Sequence, residues 1–388
     1  MELMLGTARV VITPEIGGTL CGYGSEKPSD AIRDDLILTA YTLAYGRLRV
    51  MLVNMTLLCV SDSLSDELRK LCGLSADVPP SNVILSFTHT HSGPDVVSGT
   101  DEKYLDSVLR PGCERAARES AATLRPVRVG ITAVNSRVGI NRREILPDDE
   151  IILGQNPWGP YDPEMTIISF KDENDMTVAN WVHYGAHSTS AGMGTIITRD
   201  WSGVMTDRLE AETGGAPAAF LNGAMGDVAP RMANGRSSGD ITHVAEVGGL
   251  AGMDAVRAYG NIAEYRREDM AVRVGEVRIP YEIYPPGGVD AYSYELTVIR
   301  IGPVVMVPTP FEVFSQLSLR MRAYSPFGHT LLLGLANGFN MYLPSRDQII
   351  RGGYEVERFV EWSAPSRLPD DTDRILIEQS VKIISSLY

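Results

Sequence analysis

The hydrophobic and polar positions in the first third of the chain follow two alternating patterns. Apolar runs rich in β-branched and aromatic residues predict strands, and apolar residues spaced three or four positions apart predict helices. The elements predicted in this part are strands over 36–45, 48–60, 82–87 and 126–132, a short helix between Ser61 and Cys72, and a longer helix over 101–124. Such an alternation is typical of layered α/β proteins.

The remaining two thirds of the chain continue this alternation, with one interruption. The elements predicted there are strands over 165–170, 177–183, 217–221, 272–281, 294–301 and 331–335 and helices over 241–259 and 311–324. The stretch 141–162 combines prolines and glycines with a cluster of acids, which predicts a long surface loop. No repeat or linker divides the chain. We therefore predict an α/β fold (mixed α+β) in which residues 1–388 form a single large layered domain, with mixed sheets flanked by helices.

The composition narrows the class of protein. Of the 388 residues, 44% are hydrophobic and 22% are charged, which fits a globular chain and excludes a disordered or coiled-coil one. The charge sum of 35 − 49 = −14 repels nucleic-acid phosphates and anionic lipid surfaces. We therefore expect a small-molecule substrate as the partner, and neither a nucleic acid nor a membrane.

The sequence does not indicate export or membrane insertion. Its amino terminus has no basic region ahead of a continuous apolar stretch, and no run approaches the roughly 18 apolar residues of a membrane helix. The four cysteines include no Cys-x-x-Cys pair and are too sparse for a disulfide scaffold. We expect a cytoplasmic protein with reduced thiols.

Histidine is the residue type that points most directly to chemistry. The chain has six histidines, and four of them close predicted strands as two pairs, His89 with His91 and His183 with His187. Side chains at positions i and i+2 of a strand point to the same face, so His89 and His91 can share one metal ion or one substrate. Zinc binds imidazole nitrogens and keeps a position open for water in catalytic sites. The alternative is that these are hydrogen-bonded core histidines.

Two carboxylates and one turn add to the candidate chemistry. Asp200 lies at a predicted helix start. Glu312 follows Pro308 and Pro310, and it is either a metal ligand or a helix-start acid favoured by the helix dipole. The Gly-rich turn over 222–230 has neither Walker spacing nor a lysine, so a phosphate loop is not expected. The chain has no Gly-x-Ser-x-Gly elbow, which excludes an ordinary serine hydrolase.

Several motifs follow one another between residues 5 and 357. They are Ile12-Thr13-Pro14, Gly22-Tyr23-Gly24, Thr88-His89-Thr90-His91-Ser92-Gly93-Pro94, Ile140-Asn141-Arg142, His187-Ser188-Thr189-Ser190 with Asp200, the 222–230 turn, 308–312, 335–345 and Gly353-Tyr354-Glu355. This set resembles the amino-terminal catalytic domain of the neutral (non-lysosomal) ceramidases, a family of zinc-dependent amidases. The Thr-His-Thr-His-Ser-Gly-Pro segment is the most specific of the motifs.

The resemblance implies one zinc ion per chain. Its ligands would be the imidazoles of His89 and His187, the carboxylate of Glu312 and the phenol oxygen of Tyr342. Metal-activated water would then be the nucleophile. Manganese or iron could also occupy such a ligand set.

The resemblance also implies catalytic roles beside the metal. His91 would be an acid–base group or a group that only positions the substrate, while Arg142 and Tyr354 would hold the reacting carbonyl or its oxyanion. The alternative for Arg142 is a surface salt bridge, and its neighbour Arg143 leaves the choice between them open. Asp200 would orient a histidine ligand or cap a helix.

One position departs from the family pattern. Where these ceramidases have a serine that amide cleavage requires, this chain has Ala229, which offers no hydroxyl. Because the chain ends at Tyr388, we also expect it to lack the carboxy-terminal β-sandwich domain that the resembling ceramidases have. Both features predict a divergent member of the family and argue against ceramide as the substrate.

Three functions are compatible with these features. The leading hypothesis is a cytoplasmic, zinc-dependent, amidase-like hydrolase that cleaves an amide, or an ester or lactone, in a small soluble substrate. A second is a metal-dependent cyclase or acyl transferase in which a substrate nucleophile replaces water and the missing serine. A third is a non-catalytic, metal-stabilised binding protein.

Overall fold

Three mixed β-sheets, each covered on its outer face by two helices, share one buried core. The structure is a computed structural model that describes residues 1–24, 27–97, 102–283, 288–363 and 366–388. Within these ranges it confirms the predicted mixed α/β class.

The elements are numbered in chain order. The strands are β1 (Leu3–Val11), β2 (Ala31–Ile32), β3 (Ile37–Tyr45), β4 (Leu48–Met55), β5 (Val83–Phe87), β6 (Arg125–Pro126), β7 (Arg128–Asn135), β8 (Gly139–Ile145), β9 (Ile151–Asn156), β10 (Glu164–Lys171), β11 (Thr177–Tyr184), β12 (Ile196–Ile197), β13 (Ala218–Asn222), β14 (Val228–Pro230), β15 (Met270–Pro280), β16 (Ala291–Ile301), β17 (Val304–Pro308), β18 (Glu312–Val313), β19 (His329–Leu333) and β20 (Tyr342–Leu343). The helices are α1 (Asp62–Ala76), α2 (Glu102–Tyr104), α3 (Arg110–Ala122), α4 (Asp200–Glu212), α5 (His243–Gly260), α6 (Ser315–Tyr324), α7 (Arg346–Arg351), α8 (Tyr354–Ser363) and α9 (Thr372–Ser385). A short 3₁₀ turn, Pro80–Asn82, precedes β5, and a π-helical segment, Leu105–Leu109, joins α2 to α3.

The first sheet has the order β5-β4-β3-β1-β6 and is covered by α1 and α3. β4 pairs with β5 in parallel and with β3 in antiparallel orientation. The helix α1 begins where the sequence predicts, because the Ser61 hydroxyl accepts a hydrogen bond from the Leu64 amide. It is longer than predicted and ends at Asp77, whose φ of 54° is left-handed.

The second and third sheets repeat this plan. The second has the order β13-β11-β10-β7 and is covered by α4 and α5; the third has the order β15-β16-β17-β19 and is covered by α6 and α9. Each contains one parallel pair, β11 with β13 and β17 with β19. In all three sheets, a parallel pair therefore carries two chain segments toward the same edge.

The strands around the shared core are buried on both faces, which explains their nearly continuous apolar sequences. In β17, Val304 and Met306 point into the core shared by the sheets, whereas Val305 and Val307 point toward α6 and α9. Buried polar side chains follow the ends of two of these strands, with Thr88, His89 and Thr90 after β5 and 187–190 after β11. The candidate functional side chains therefore lie at the ends of the strands.

Two predictions about local structure are wrong. The stretch 141–162 is not one long loop, because β8 and β9 form an antiparallel hairpin within it. The segment 311–324 is not helical from its start, because Glu312 lies in β18 and α6 begins only at Ser315. In both stretches, pairing with a neighbouring strand overrides the local signals of Pro, Gly and acids.

The structure also describes the cysteines and the apolarity of the helices. All four cysteines are buried and free. Among the described residues, no helix combines the length and apolarity needed to cross a membrane.

Candidate metal centre

The predicted metal ligands converge from the three sheets. His89 follows β5 of the first sheet, His187 follows β11 of the second, and Glu312 follows β17 of the third. Each side chain is at least nine-tenths buried. The site therefore lies where the carboxyl ends of strands from three sheets meet.

The His89 ring is fixed by its own segment. β5 ends at Phe87, and His89 adopts a left-handed φ of 62°, so the prediction that His89 and His91 share a strand face is wrong. The turn nevertheless brings the two rings together, with 3.4 Å between their Nε2 atoms. His89 Nδ1 lies 3.1 Å from the carbonyl oxygen of Leu58. Because a carbonyl only accepts, the hydrogen is assigned to Nδ1, and Nε2 presents a lone pair to the centre.

His187 is held in the same way by the turn 222–230. Its Nδ1 lies 2.8 Å from the carbonyl oxygen of Met225 and 3.1 Å from that of Val228, which assigns the hydrogen to Nδ1. Its Nε2 lies 3.0 Å from Oε2 of Glu312. The turn thus fixes the tautomer and the direction of His187, as outer-shell carbonyls do for metal-binding imidazoles.

Glu312 completes a set of facing acceptors. Its Oε2 is also 3.7 Å from Nε2 of His89. Burial lowers the pKa of His89 to about 4 and also lowers the pKa of His187, so both rings are neutral at neutral pH. Burial raises the pKa of Glu312, but the neighbouring imidazoles of His89 and His187 and the Arg142 guanidinium lower it to about 2, so the carboxylate is ionised. Two imidazole lone pairs and a carboxylate that converge at this distance form a site that could hold a cation.

His91 belongs to the same cluster. The candidate ligand atoms of His89, His91 and His187 lie within 4.8 Å of one another. Burial lowers the pKa of His91 well below its usual value, with further contributions from His89 and His187. Its Nδ1 has no hydrogen-bond partner among the described residues. His91 is therefore a neutral imidazole with one nitrogen directed at the centre and the other left unpaired.

Tyr342 and Arg142 form the opposite wall. Tyr342 pairs with Glu312 across β18 and β20, and its ring stacks on His187 with 6.3 Å between the centroids. The guanidinium carbon of Arg142 lies 5.3 Å from the centroid of the Tyr342 ring. The structure thus brings both residues to the centre, as the resemblance implies.

A buried carboxylate distinguishes Arg142 from Arg143. Glu355 accepts from Nε of Arg142 at 2.8 Å and from Nη1 of Arg143 at 2.6 Å. The other guanidinium nitrogens of Arg143 donate to the Gly352 carbonyl and to the Gln348 side-chain oxygen. Arg142 keeps a buried Nη2 that has no partner in the described part of the chain. Arg142 is therefore the arginine with a free donor, and Glu355, which the sequence reasoning did not assign a role, holds it there.

Tyr354 and Asp200 occupy different places. The Tyr354 ring lies 5.8 Å from that of Tyr342, which puts Tyr354 at the wall of the centre. The Asp200 carboxylate accepts from the backbone amides of Ser190, Ala191 and Trp201. Its described hydrogen bonds therefore fix the loop after His187 and the start of α4, and none of them reaches a histidine.

The remaining histidine of the second pair does not join the centre. Nε2 of His183 lies 2.8 Å from the carbonyl oxygen of Leu332. It matches the alternative of a hydrogen-bonded core histidine. Sequence spacing alone does not separate His183 from His187, because His183 lies near the end of β11 and His187 follows that strand by only three residues.

Comparison with known proteins adds to this geometry. No family model matches the chain. The neutral ceramidase of Pseudomonas aeruginosa is 28% identical over 212 residues, which cover 49% of this chain and 30% of that protein. The crystal structure of that organism's neutral ceramidase superimposes with a TM-score of 0.81 at 20% identity, covering 100% of this chain and 74% of the other. A ceramidase complexed with C2 gives a TM-score of 0.82 at 19% identity, covering 100% and 75%.

The chain is similar to neutral ceramidases in sequence over about half of its length and in fold over all of it. The sequence similarity is weak and spans less than a third of the bacterial protein's length, whereas the shared fold extends over the whole of this chain. In this chain, Ala229 lies fully buried in β14, one residue after the Val228 carbonyl that faces His187. The position where the resembling ceramidases have serine thus lies beside the centre, without a hydroxyl.

Proposed function

We propose that this protein is a metal-dependent hydrolase that cleaves an amide bond in a small substrate. The proposal rests on three acceptor atoms that face one another. Nε2 of His187 lies 3.0 Å from Oε2 of Glu312, and Nε2 of His89 lies 3.7 Å from the same oxygen. The donor set of imidazole, carboxylate and phenol fits zinc, one ion per chain, with His89, His187, Glu312 and Tyr342 as its ligands. The relationship to neutral ceramidases supports amide chemistry.

Zinc in such a site lowers the pKa of bound water toward about 7 and polarises a carbonyl. The remaining chemistry belongs to the chain. Arg142 is a permanent cation because Tyr342, Glu355 and Glu312 raise its pKa against the opposing effect of burial. Its free Nη2 would donate to the carbonyl oxygen as negative charge develops there, with Tyr354 beside it.

His91 is the proposed proton-transfer group. Its low pKa keeps the ring neutral, so one nitrogen could accept a proton from the water that attacks the carbonyl, while Nδ1 has no partner among the described residues. It would then deliver that proton to the leaving amine. Asp200 acts at a distance, by holding the loop that follows His187.

Ala229 favours a second candidate function. Because this buried position offers no hydroxyl, an amine or hydroxyl of the substrate could act as the acceptor, which gives a cyclase or acyl transferase. The mass of the product separates the two functions. Hydrolysis adds the mass of one water molecule across the two products, whereas intramolecular cyclisation expels the leaving group and incorporates no water.

The location and the substrate are also proposals. We propose a cytoplasmic protein with a small soluble substrate, supported by four free buried cysteines and a net charge of −14. The buried Arg142–Glu355–Arg143 cluster leaves a polar wall at the centre. This wall supports a polar substrate more than the two lipid tails of ceramide.

The first experiment measures metal per chain by elemental mass spectrometry. We expect about one zinc per wild-type chain and little in His187→Ala. The control is His243→Ala, because His243 begins α5 and pairs with Asp240 rather than with any of the predicted ligands. Full metal occupancy in His187→Ala would contradict the proposal. So would the absence of metal from both the wild type and the control.

A further inference from the structure

Asn222, to which the proposed mechanism assigns no role, forms hydrogen bonds with residues from all three sheets. It is the last residue of β13 and is fully buried. Its side-chain nitrogen lies 3.3 Å from the carbonyl oxygen of Thr88, the first residue after β5. Its side-chain oxygen lies 3.3 Å from the amide nitrogen of Ala186, two residues after β11. Its own carbonyl accepts from the amide of Gly334, the first residue after β19, at 3.0 Å.

These partners determine which way the side-chain amide of Asn222 faces. A backbone amide only donates and a carbonyl only accepts, so the side-chain oxygen is assigned to Ala186 and the nitrogen to Thr88. Leucine, at a similar size, offers neither group, and an ionised aspartate offers only acceptors. Asparagine is therefore the residue type of this size that can satisfy a donor in one sheet and an acceptor in another.

The two residues that the Asn222 side chain binds directly precede two predicted metal ligands. Thr88 is followed by His89, and Ala186 is followed by His187. The rings of the two histidines lie 4.9 Å apart between centroids. Because each ring is attached to its own backbone segment, a side chain that joins the two segments limits how far the imidazoles can separate.

A second contact joins the same two segments. The Ser188 hydroxyl donates to the Thr88 carbonyl at 2.7 Å, and Ser188 pairs with Thr90 in a parallel β-bridge. His187 is thus held on both sides, through Ala186 by Asn222 and directly through Ser188. All of these residues are buried, so water does not compete strongly for their hydrogen bonds.

We propose that Asn222 is a positioning residue that sets the separation of the His89 and His187 imidazoles and thereby the affinity of the centre for its metal. This inference rests on the metal ligands of the proposed function. The described hydrogen bonds of Asn222 reach none of those ligands, so it acts through the backbone that carries them. A metal site works only when its ligands are held within about 0.5 Å of the productive geometry, which requires supporting hydrogen bonds from an outer shell.

The test uses Co²⁺ in place of zinc, because the visible absorption spectrum of Co²⁺ changes with the number and geometry of its ligands. Co²⁺ affinity is measured by competition with a chelator, and the spectrum is recorded on the loaded protein. In Asn222→Leu, both side-chain hydrogen bonds are lost at nearly constant volume. We expect the affinity to fall roughly tenfold to 100-fold and the absorption bands to shift.

The matched control is Asn180→Leu. Asn180 is also fully buried and lies in β11, where it pairs with Ala218 of β13. Its side-chain nitrogen donates to the Thr213 hydroxyl at 3.1 Å, so its substitution also removes a buried hydrogen bond. We expect this variant to lower the melting temperature and to leave the Co²⁺ affinity and spectrum as in the wild type. A role of Asn222 in stability alone would produce the same result at both positions.

A milder pair, Asn222→Ser and Asn180→Ser, decides the question if Asn222→Leu does not fold. Serine is polar but too short to bond to both partners of Asn222, so we expect a smaller loss of Co²⁺ affinity in Asn222→Ser and none in Asn180→Ser. Unchanged affinity and spectrum in the folded Asn222 variants would overturn the role of Asn222, and so would equal changes in the Asn180 controls.

The same measurements separate this inference from the proposed hydrolysis, because none of them depends on turnover. If the wild type binds Co²⁺ but hydrolyses no amide, and the Asn222 variants alone lose affinity, the hydrolase proposal fails and the role of Asn222 stands. If the Asn222 variants bind Co²⁺ as the wild type does while amides are hydrolysed, the reverse holds. A wild type that binds no Co²⁺ overturns both.

Discussion

Two buried polar clusters lie side by side in this molecule, and they differ in how their donors and acceptors are matched. Around Asp227, Oδ1 accepts from the Ser315 amide at 2.7 Å, and Oδ2 accepts from the Ser315 hydroxyl at 2.9 Å. Around Glu312, by contrast, Oε2 faces Nε2 of His187, whose hydrogen is on Nδ1. The first cluster is complete with its own atoms, whereas the facing acceptors of the second leave a place that a cation could occupy. The balance of donors and acceptors, rather than burial, marks the functional site.

The largest expected effect comes from a substitution that places a hydrogen-bond donor opposite the acceptors of the second cluster. In Glu312→Gln, the side-chain amide can donate to Nε2 of His187, so donor and acceptor are matched without a cation. We expect metal affinity to fall at least 100-fold, since loss of an outer-shell partner alone costs 10- to 100-fold. Amide hydrolysis should fall with it. Metal per chain and activity are measured on the same preparation.

Chelation provides the matching control. Removal of metal should lower the melting temperature of the wild type and leave that of Glu312→Gln unchanged, because only the wild type then has facing acceptors. Stoichiometric metal in Glu312→Gln would contradict the comparison.

A smaller effect is expected from the two arginines on Glu355. Arg142→Lys keeps a positive charge beside Glu355 but loses the free Nη2 donor, so kcat should fall about 100-fold with metal content unchanged. Arg143→Lys loses the hydrogen bonds to Gly352 and Gln348, so it should lower the melting temperature and change kcat only a few-fold. Equal losses of kcat in both variants would show that the free donor has no catalytic role.

The smallest expected effect is on the pH dependence of the free energy of unfolding, and it comes from Asp227 in the first cluster. Burial raises the pKa of Asp227 to about 6, against the opposing hydrogen bonds from Ser315, compared with an ordinary value of 3.8. A raised carboxyl pKa means that the folded state binds the proton more tightly than the unfolded state does. The protonated Asp227 therefore stabilises the fold fully below pH 3.8, and this stabilisation is lost as the pH rises through 6. It amounts to roughly 3 kcal/mol.

Asp227→Asn cannot titrate, so its free energy of unfolding should vary less between pH 4 and 7 than that of the wild type. Urea denaturation at four pH values measures the difference. Metal content should stay near one per chain in this variant, because Asp227 does not face the imidazoles. An unchanged pH slope would place the Asp227 carboxyl in a less buried environment than the structure shows.

Much of the fold could be predicted from local patterns. The apolar runs of β3, β4 and β5 and the Ser61 cap of α1 are visible in the sequence because strand burial and helix capping are local properties. The hairpin of β8 and β9 was missed because its pairing joins residues through tertiary contacts that Pro and Gly do not reveal. β18 was missed for a similar reason, since its partner, β20, lies 30 residues away.

The candidate site divides in the same way. By residue type and motif order, the sequence alone identified His89, His91, His187, Glu312, Tyr342 and Arg142 as one set. Residue type and spacing did not separate His187 from His183 or Arg142 from Arg143, because each pair shares a segment and a residue type, and the choice came from the resemblance. The tertiary structure gives the physical reason for those choices, through the carbonyls of Met225, Val228 and Leu332 and through the Glu355 carboxylate. These partners come from distant parts of the chain, and whether a buried polar atom is satisfied depends on the partners that folding brings to it.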